Sequence, residues 1–568
     1  MGLNGALQIG RSAILTSQAA ISVAGNNMAN AATPGYHRQV ASLAPSRSDA
    51  IGRNQFVGTG VSLVSVNRAI DYALQSRLRD AISDENAAGI DERFLSAVET
   101  IQNELSEDDL SSRLSAFFNA FSELANNPLD NAVRTVVLQQ GVSVADHVNM
   151  IRDEYVTLRN EVDRSLGTSV DRVDGLLDEI ATINQQIATA EGGQGGTTGG
   201  ANSLRDRRDQ LIDELAGYLD VTTIDQPNGV VDVLVGSTPL VLAGESRGLE
   251  LRRQSGPDGV EVTVRVGDDG RILDIQSGSI GALVRQRNET VDPAIDAIDD
   301  FAGQLAFQVN RVHSQGQGTS LRSEFTGTIR LEDPDANLNG SYSGLPWPIE
   351  NGSFQLHVVD PSSGNRTTHQ VVVDPQNDSL QDIADRINLE IGSSDVSASI
   401  TADGEFRLVA ATGREIAFSD DTSGFLAGVG INGFFSGTDA TDLTVDQTLL
   451  DDPSLLSTSD DFTPGGNGAA MQMVALETKP VDAFNGRSLR EKWQSSVNEL
   501  AVRTSAARTT LESSQLVRAN LDAQSQSVSG VSIDEEAIDL MTLQRQFQAA
   551  ARFITVIDEA MQTLLSIA

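Results

Sequence analysis

The sequence predicts a multidomain, mainly α-helical and elongated chain with β insertions. In this reading the N- and C-terminal helices pair as a coiled coil, a helical bundle follows, and a β-rich domain lies outermost. Three observations predict it. Apolar heptads stand at both ends of the chain, long helical patterns fill much of what lies between, and two internal stretches switch to period-two alternation between turn signals.

The first heptad run is Leu3, Leu7, Gly10, Ile14, Ser17, Ile21, Ala24 and Met28, spaced alternately four and three. Large and small residues are mixed along it, which suits close backbone approach. Asn26-Asn27-Met28-Ala29-Asn30 leads to Thr33-Pro34-Gly35-Tyr36, where proline and glycine stop the helix and start an extended segment. The last run is Leu540, Leu543, Phe547, Ala550, Ile554, Ile557, Met561, Leu564 and Ala568, unbroken by glycine or proline. Ser532 and Glu535 fit a capping box, and Asp534, Glu535, Glu536 and Asp539 suit the positive end of the helix dipole. The chain should therefore end in a helix of about 35 residues, roughly 50 Å long.

One such end would read as an amphipathic helix on a globular core. Two matched ends read most economically as a pair. Ile9, Leu15, Val23, Met541 and Leu565 lie off the seams, so the pair leaves apolar surface for further partners, most simply copies of the same chain.

Between the ends, residues 67–190 read as helices. Ser106 and Asp109 suit a helix start; Phe117, Phe118, Phe121 and Leu124 share one helical face, and Asn126-Asn127-Pro128 stops it. The next helical pattern, residues 131–190, is expected to break or kink near Gly167 and Gly175. Residues 191–200 are a glycine-rich loop without the lysine and hydroxyl of a phosphate cradle. Residues 221–283 alternate through Val231, Val233, Val235 and then Val260, Val262, Val264, Val266, with Asn-Gly and Asp-Gly turns; this is an antiparallel insertion. Residues 291–312 and 469–525 return to helix. Residues 354–359, 371–373, 398–401 and 406–410 read as strands, with one helix over 379–391. The domain boundaries follow: a terminal tail of residues 1–66 and 515–568, a helical domain of residues 67–325 and 469–514, and an outer β-rich domain of residues 326–468.

Composition excludes much. The chain of 568 residues has no cysteine, so thiolate metal sites, disulfides and cysteine nucleophiles are absent. A formal charge of -39 repels nucleic acid and anionic lipid, and no stretch is apolar enough for a membrane span. The histidines are His37, His147, His313, His357 and His369. None has ligand spacing; His357 and His369 could be strand neighbours, without a third ligand. Asp335-Ala336-Asn337-Leu338-Asn339-Gly340 starts like a calcium loop, but Pro346 stands where its glutamate belongs, so an Asx turn is the better reading. No catalytic, cofactor or metal residues are assigned, and no enzyme activity is expected.

The stretch NNMANAATPGYHRQ, with Asn26, Asn27, Asn30, Thr33, Pro34, Gly35 and Tyr36, resembles the N-terminal signature of the bacterial flagellar axial proteins of rod and hook. Residues 529–567 resemble the matching C-terminal region. Residues 56–81, 109–128, 203–221 and 278–316 resemble the hook-associated members of that family. The resemblance implies a structural component of the flagellum that joins hook to filament and self-assembles through its terminal helices. The assembly seam would be Leu3, Leu7, Ile14, Ile21, Met28, Leu540, Leu543, Phe547, Ile554, Ile557, Met561 and Leu564. The implied partners are a ring of copies of itself, the hook protein, a second junction protein and a cytoplasmic export chaperone on the C-terminal helix. The implied location is the extracellular flagellum, reached without a cleavable signal peptide. The alternatives are another hook- or rod-type axial protein, or a secreted coiled-coil adhesin.

Overall fold

The computed structural model describes residues 3–52, 55–104, 109–191, 201–256, 259–267, 269–392, 394–463 and 465–567. The chain begins with α1 (Leu3–Ala29), β1 (Gln39–Pro45), β2 (Asp49–Gly52), β3 (Gln55–Val57), β4 (Val61–Arg68), α2 (Tyr72–Gln102), α3 (Leu110–Asn126), α4 (Asn131–Glu191) and α5 (Asn202–Ala216). Then come β5 (Val221–Asp225), β6 (Val231–Val235), β7 (Thr238–Leu242), β8 (Glu245–Ser246), β9 (Leu249–Gly256), β10 (Gly259–Val266), α6 (Gly278–Gln286) and α7 (Asp292–His313). The second β stretch holds β11 (Glu324–Arg330), β12 (Gly352–Val359), β13 (Arg366–Val373), α8 (Leu380–Glu390), β14 (Val396–Ile400), β15 (Glu405–Ala410) and β16 (Glu415–Ser419). Short α9 (Phe425–Gly428), β17 (Phe435–Ser436), β18 (Thr444–Val445) and α10 (Gln447–Asp451) lead to α11 (Gly468–Leu476), α12 (Leu489–Ser529) and α13 (Ile533–Ile567). The architecture is mainly helical with β insertions, and the terminal helices α1 and α13 pack together.

The chain divides into two compact units. The first joins Met1–Arg93, Val162–Asn288 and Ala506–Ala568. Here α1 carries α13 on one side and the antiparallel pair β1–β4 on another. The extended segment expected after Pro34 is thus a hairpin, with a small β2–β3 ribbon within it. Its strands are half-exposed and lack clean alternation, which is why period-two reasoning does not find them. Leu74, Leu78 and Ala81 of α2 meet Leu521 of α12. The strands β5-β6-β7-β8 form one antiparallel sheet, and β9 pairs with β10. Both pack near the second half of α4, whose Val162, Leu166, Val170, Val173, Leu177 and Ile180 are buried.

Helix α4 runs unbroken through Gly167 and Gly175, contrary to the expected interruption. A mid-helix glycine costs about 1 kcal/mol against alanine, and the buried valines and leucines on either side outweigh that. Residues 192–200 of the glycine-rich loop lie outside the described residues.

The second unit joins Phe94–Glu161 and Glu289–Ser505. Phe117, Phe118 and Phe121 of α3 are almost fully buried; Phe118 and Phe121 pack edge-on against Phe117 at 5.3 and 5.2 Å between ring centres, Phe117 meets Phe434 and Phe435 at 5.4 and 5.9 Å, and Phe121 meets Phe434 at 5.9 Å. Asp109 caps α3, accepting from Ser112 N; Ser106 lies outside the described residues. Arg134 of α4 is fully buried with no carboxylate partner among the described residues. It donates instead to the carbonyls of Pro128 and Leu456 and to Thr458 Oγ1, and burial lowers its pKa.

The strands β13-β12-β16 and β11-β15-β14 form two antiparallel sheets around one core with α8. His357 and His369 lie on paired strands, but His369 stands opposite Leu356 and His357 opposite Thr368. One residue of offset sends the two imidazoles to opposite faces, so they are not neighbours across the sheet. Asn337–Gly340 is a turn: Gly340 N donates to Asn337 O at 2.7 Å, and the Asn337 side-chain Nδ2 donates to Gln376 O at 2.7 Å.

One device recurs in both units. A single asparagine amide takes both backbone groups of one distant residue. Asn184 holds Val231, Asn310 holds Phe435, Asn339 holds Ile349 and Asn388 holds Ala398, each by one donated and one accepted bond of 2.8–3.1 Å. Only an amide has a donor and an acceptor side by side to do this.

Candidate assembly interface

Two contacts fix how α1 meets α13. Gly10 of α1 is buried so closely on Ile554 that a Cβ added there would lie 2.6 Å from Ile554 Cγ1. Seventeen residues on, Asn27 Nδ2 donates to Glu536 Oε2 at 3.1 Å. The helices are therefore antiparallel, and in that register Ile14 falls opposite Ala550, Ser17 opposite Phe547 and Ala24 opposite Leu540. Small residues of one helix face large ones of the other, which is what lets a two-helix seam fill without voids.

On α1 the structure buries Gly10, Ser17 and Ala24 and half-buries Leu3, Leu7, Ile14, Ile21 and Met28. On α13, Ile557 is buried and Leu540, Leu543, Phe547, Ala550, Ile554 and Met561 are half-buried, whereas Leu564 is 54% exposed. The last buried position on α1 is Asn27, at 1% exposure, rather than Met28.

Asn27 is the hub of the Asn26–Tyr36 segment. Its Nδ2 donates to Gln39 O at 2.8 Å as well as to Glu536, and its Oδ1 accepts from Gln39 N at 2.9 Å and Tyr36 OH at 2.8 Å. All four bonding positions of the amide are used. Glu536, buried at 2% exposure, also accepts from Arg38 Nε at 2.6 Å. This bond raises the Arg38 pKa further. Burial, with Asp206 and Glu536 adding negative charge, pushes Tyr36 up to about 12, so its hydroxyl keeps its proton and donates.

The other signature residues build the turn. Asn30 Nδ2 donates to Asn26 O at 2.9 Å, Thr33 N to Asn30 O at 2.9 Å and Tyr36 N to Thr33 O at 3.2 Å. Asn26 Nδ2 donates to Tyr36 OH at 3.3 Å. Gly35 has φ +69°, and a Cβ there would collide with Gln210, whose Nε2 donates to Pro34 O. Behind the turn, His37 Nδ1 lies 2.8 Å from Asp206 Oδ1, and Arg68 bridges Asp206 and Asp209 at 2.9 and 2.6 Å. The Ser532 cap of α13 is weak, at 3.5 Å from Glu535 N.

Sequence reasoning did not join Asn27 to Glu536, or see Arg38, Asp206 and Asp209 as partners. A signal exists for the first pair. Glu536 stands four residues before Leu540, in phase with the apolar seam, where a carboxylate demands a polar partner.

Comparison with known proteins places this geometry. Residues 95–327 match the family described as the flagellar hook-associated protein FlgK helical domain. Residues 523–567, most of them in α13, match the flagellar basal body rod FlgEFG protein C-terminal family. The chain is 25% identical to flagellar hook-associated protein 1 of Bacillus subtilis, over 99% of this chain and 97% of that one. It is 23% identical to that of Escherichia coli and 24% to that of Salmonella typhimurium, each over 98% of both chains. The fold matches the solved flagellar hook junction protein FlgK from Burkholderia pseudomallei with TM-score 0.50 at 16% identity, over 80% of this chain and all of that one.

Over nearly its full length the chain is similar to the flagellar hook-associated protein 1 relatives, and its residues 95–327 match the FlgK helical domain. It is a structural component of the flagellar axis.

Outside the seam, α13 is polar over Arg545, Gln548, Arg552, Thr555, Glu559 and Gln562, with single apolar side chains among them. Ile538, Met541, Val556 and Leu565 are each more than half exposed. The outer face of α1 is polar too, with Asn4, Gln8, Arg11, Gln18, Ser22 and Asn26 exposed around Leu15. Among the described residues no helix is long and apolar enough to cross a membrane, and no group of three or more His, Asp or Glu could hold a metal.

Proposed function

We propose that this chain is the junction between hook and filament, and that it self-assembles through its terminal helix pair. The observation that carries the reading is the α1–α13 pair itself. It is locked by a buried Asn27–Glu536 contact at one end and a Gly10–Ile554 contact towards the other, yet it leaves Ile538, Met541, Val556 and Leu565 of α13 uncovered. Exposed apolar side chains of this kind are covered when copies pack side by side in a ring. Residues 1–66 and 515–568 then form the tail that builds the inner wall, residues 67–325 and 469–514 the helical layer, and residues 326–468 the outer domain. The seam is Leu3, Leu7, Ile14, Ile21, Met28, Leu540, Leu543, Phe547, Ile554, Ile557, Met561 and Leu564. The chain has no catalytic role in this reading. Its partners are copies of itself, the hook protein below, a second junction protein above, and before export a cytoplasmic chaperone that covers α13.

The test is a strain that lacks the gene. It should keep its hooks and shed filament subunits into the medium. The full chain should restore filaments, and a chain without residues 1–60 should not. Filaments on the deletion strain would end the junction reading; filaments restored by the truncated chain would end the tail mechanism.

A further inference from the structure

The two sheets of residues 324–419 enclose one core and nearly close on each other. On one side, β16 meets the segment before β11: Ile416 N donates to Arg322 O at 2.8 Å. On the other side, β13 and β14 are the outer strands of their sheets, and α8 packs against both. Its Leu380, Ile383, Ala384 and Ile387 are fully buried in the shared core.

Two polar residues of α8, Arg386 and Asn388, are bonded to the strand edges. Asn388 Nδ2 donates to Ala398 O at 2.8 Å, and Asn388 Oδ1 accepts from Ala398 N at 2.8 Å. This is the double bond that a residue of an antiparallel neighbour would make. Arg386 donates to Val372 O of β13 while its two terminal nitrogens hold Asp378 at 2.7 and 2.8 Å. Strand β14 reads Val-Ser-Ala-Ser-Ile, with neither charge nor proline. It lacks the defences that edge strands commonly carry, and an undefended edge is a template for another strand.

We propose that α8 guards these edges, and that Asn388 in particular keeps β14 from pairing with β14 of a second copy of this chain. The amide occupies both backbone groups of Ala398, the central residue of β14, which the second strand would need. The guard works within the outer domain and does not depend on how the terminal helices assemble.

The test uses the full chain and a fluorescent peptide of residues 395–401, which contains β14, with binding read by anisotropy. Wild type should capture it weakly or not at all. Asn388→Ala should bind it roughly 30-fold tighter, because two backbone hydrogen bonds become available. Adding Ala398→Pro, which removes the N–H, should abolish that gain. Circular dichroism checks that each variant is folded; if Asn388→Ala is not, Asn388→Asp, which keeps the acceptor for Ala398 N but loses the donor to Ala398 O, is read in its place and should bind with an intermediate gain. A folded variant with wild-type affinity, or a gain that survives Ala398→Pro, would overturn the proposal.

Discussion

Replacing Asn27 with alanine should loosen α1 from both its partners. Four hydrogen bonds disappear: two to the backbone of Gln39, one from Tyr36 OH and one to Glu536. Three neutral bonds at about 1 kcal/mol and one to a carboxylate at about 2 kcal/mol set an upper figure of about 5 kcal/mol. Gln39 and Tyr36 are half-buried, so water takes up part of what they lose. Glu536 keeps Arg38. About 2–3 kcal/mol should remain, which is a roughly 30- to 150-fold rise in the opening of α1. Native-state hydrogen exchange on the amides of α1 and β1 measures that opening directly. Glu536→Gln, which keeps an acceptor for Asn27 but discharges the contact with Arg38, should give a smaller rise. If Asn27→Ala leaves α1 protection unchanged while the helix content is intact, the hub assignment is refuted.

Three further outcomes follow from the geometry. The chain lacks cysteine, so introduced pairs report cleanly: Ala24→Cys with Leu540→Cys should oxidise to a disulfide, whereas Ala24→Cys with Ile557→Cys, offset by roughly 25 Å along α13, should not. Phe547→Asp puts a charge into the seam and should abolish swimming in soft agar without unfolding the second unit; normal swimming would remove Phe547 from the seam. His313 is fully buried, with Nδ1 on Asn432 O and Nε2 accepting from Ser457 N, and burial lowers its pKa from 6.5 to about 4. Its contribution to stability is complete above pH 6.5 and is lost as pH falls towards 4, because the unfolded chain binds the proton first. The slope of unfolding free energy over that window should fall in His313→Gln, by up to about 1.4 kcal/mol per pH unit; an unchanged slope would mean that His313 is not buried neutral.

What the sequence discloses is what repeats locally. The final helix is legible because its seam runs without interruption, and the structure begins it at Ile533. The strands at Val231–Val235 and Gly259–Val266 are legible because valines alternate there. The β1–β4 pair is not, since its faces are both half-exposed and its register slips at Ser42 and Leu43. Gly167 and Gly175 mislead because propensity is a weak local term against a buried helix face. The Asn27–Glu536 contact joins residues 509 apart, and no local pattern encodes such a distance. The asparagine clamps escape for the same reason: Asn184, Asn310, Asn339 and Asn388 look like ordinary polar residues until their strands arrive.

The antiparallel register of α1 and α13 has a practical consequence for anyone wishing to follow the protein in living cells. Residues 3 and 561 come to lie side by side, so a fluorescent domain fused at the beginning and one fused at the close would crowd the same spot, against the helix pair. The exposed turn joining β12 to β13, at Pro361–Gly364, is a better place for a label. Its backbone bends through the bonds of Asp360 to Ser362 and Ser363, and a short epitope there leaves the helix pair untouched.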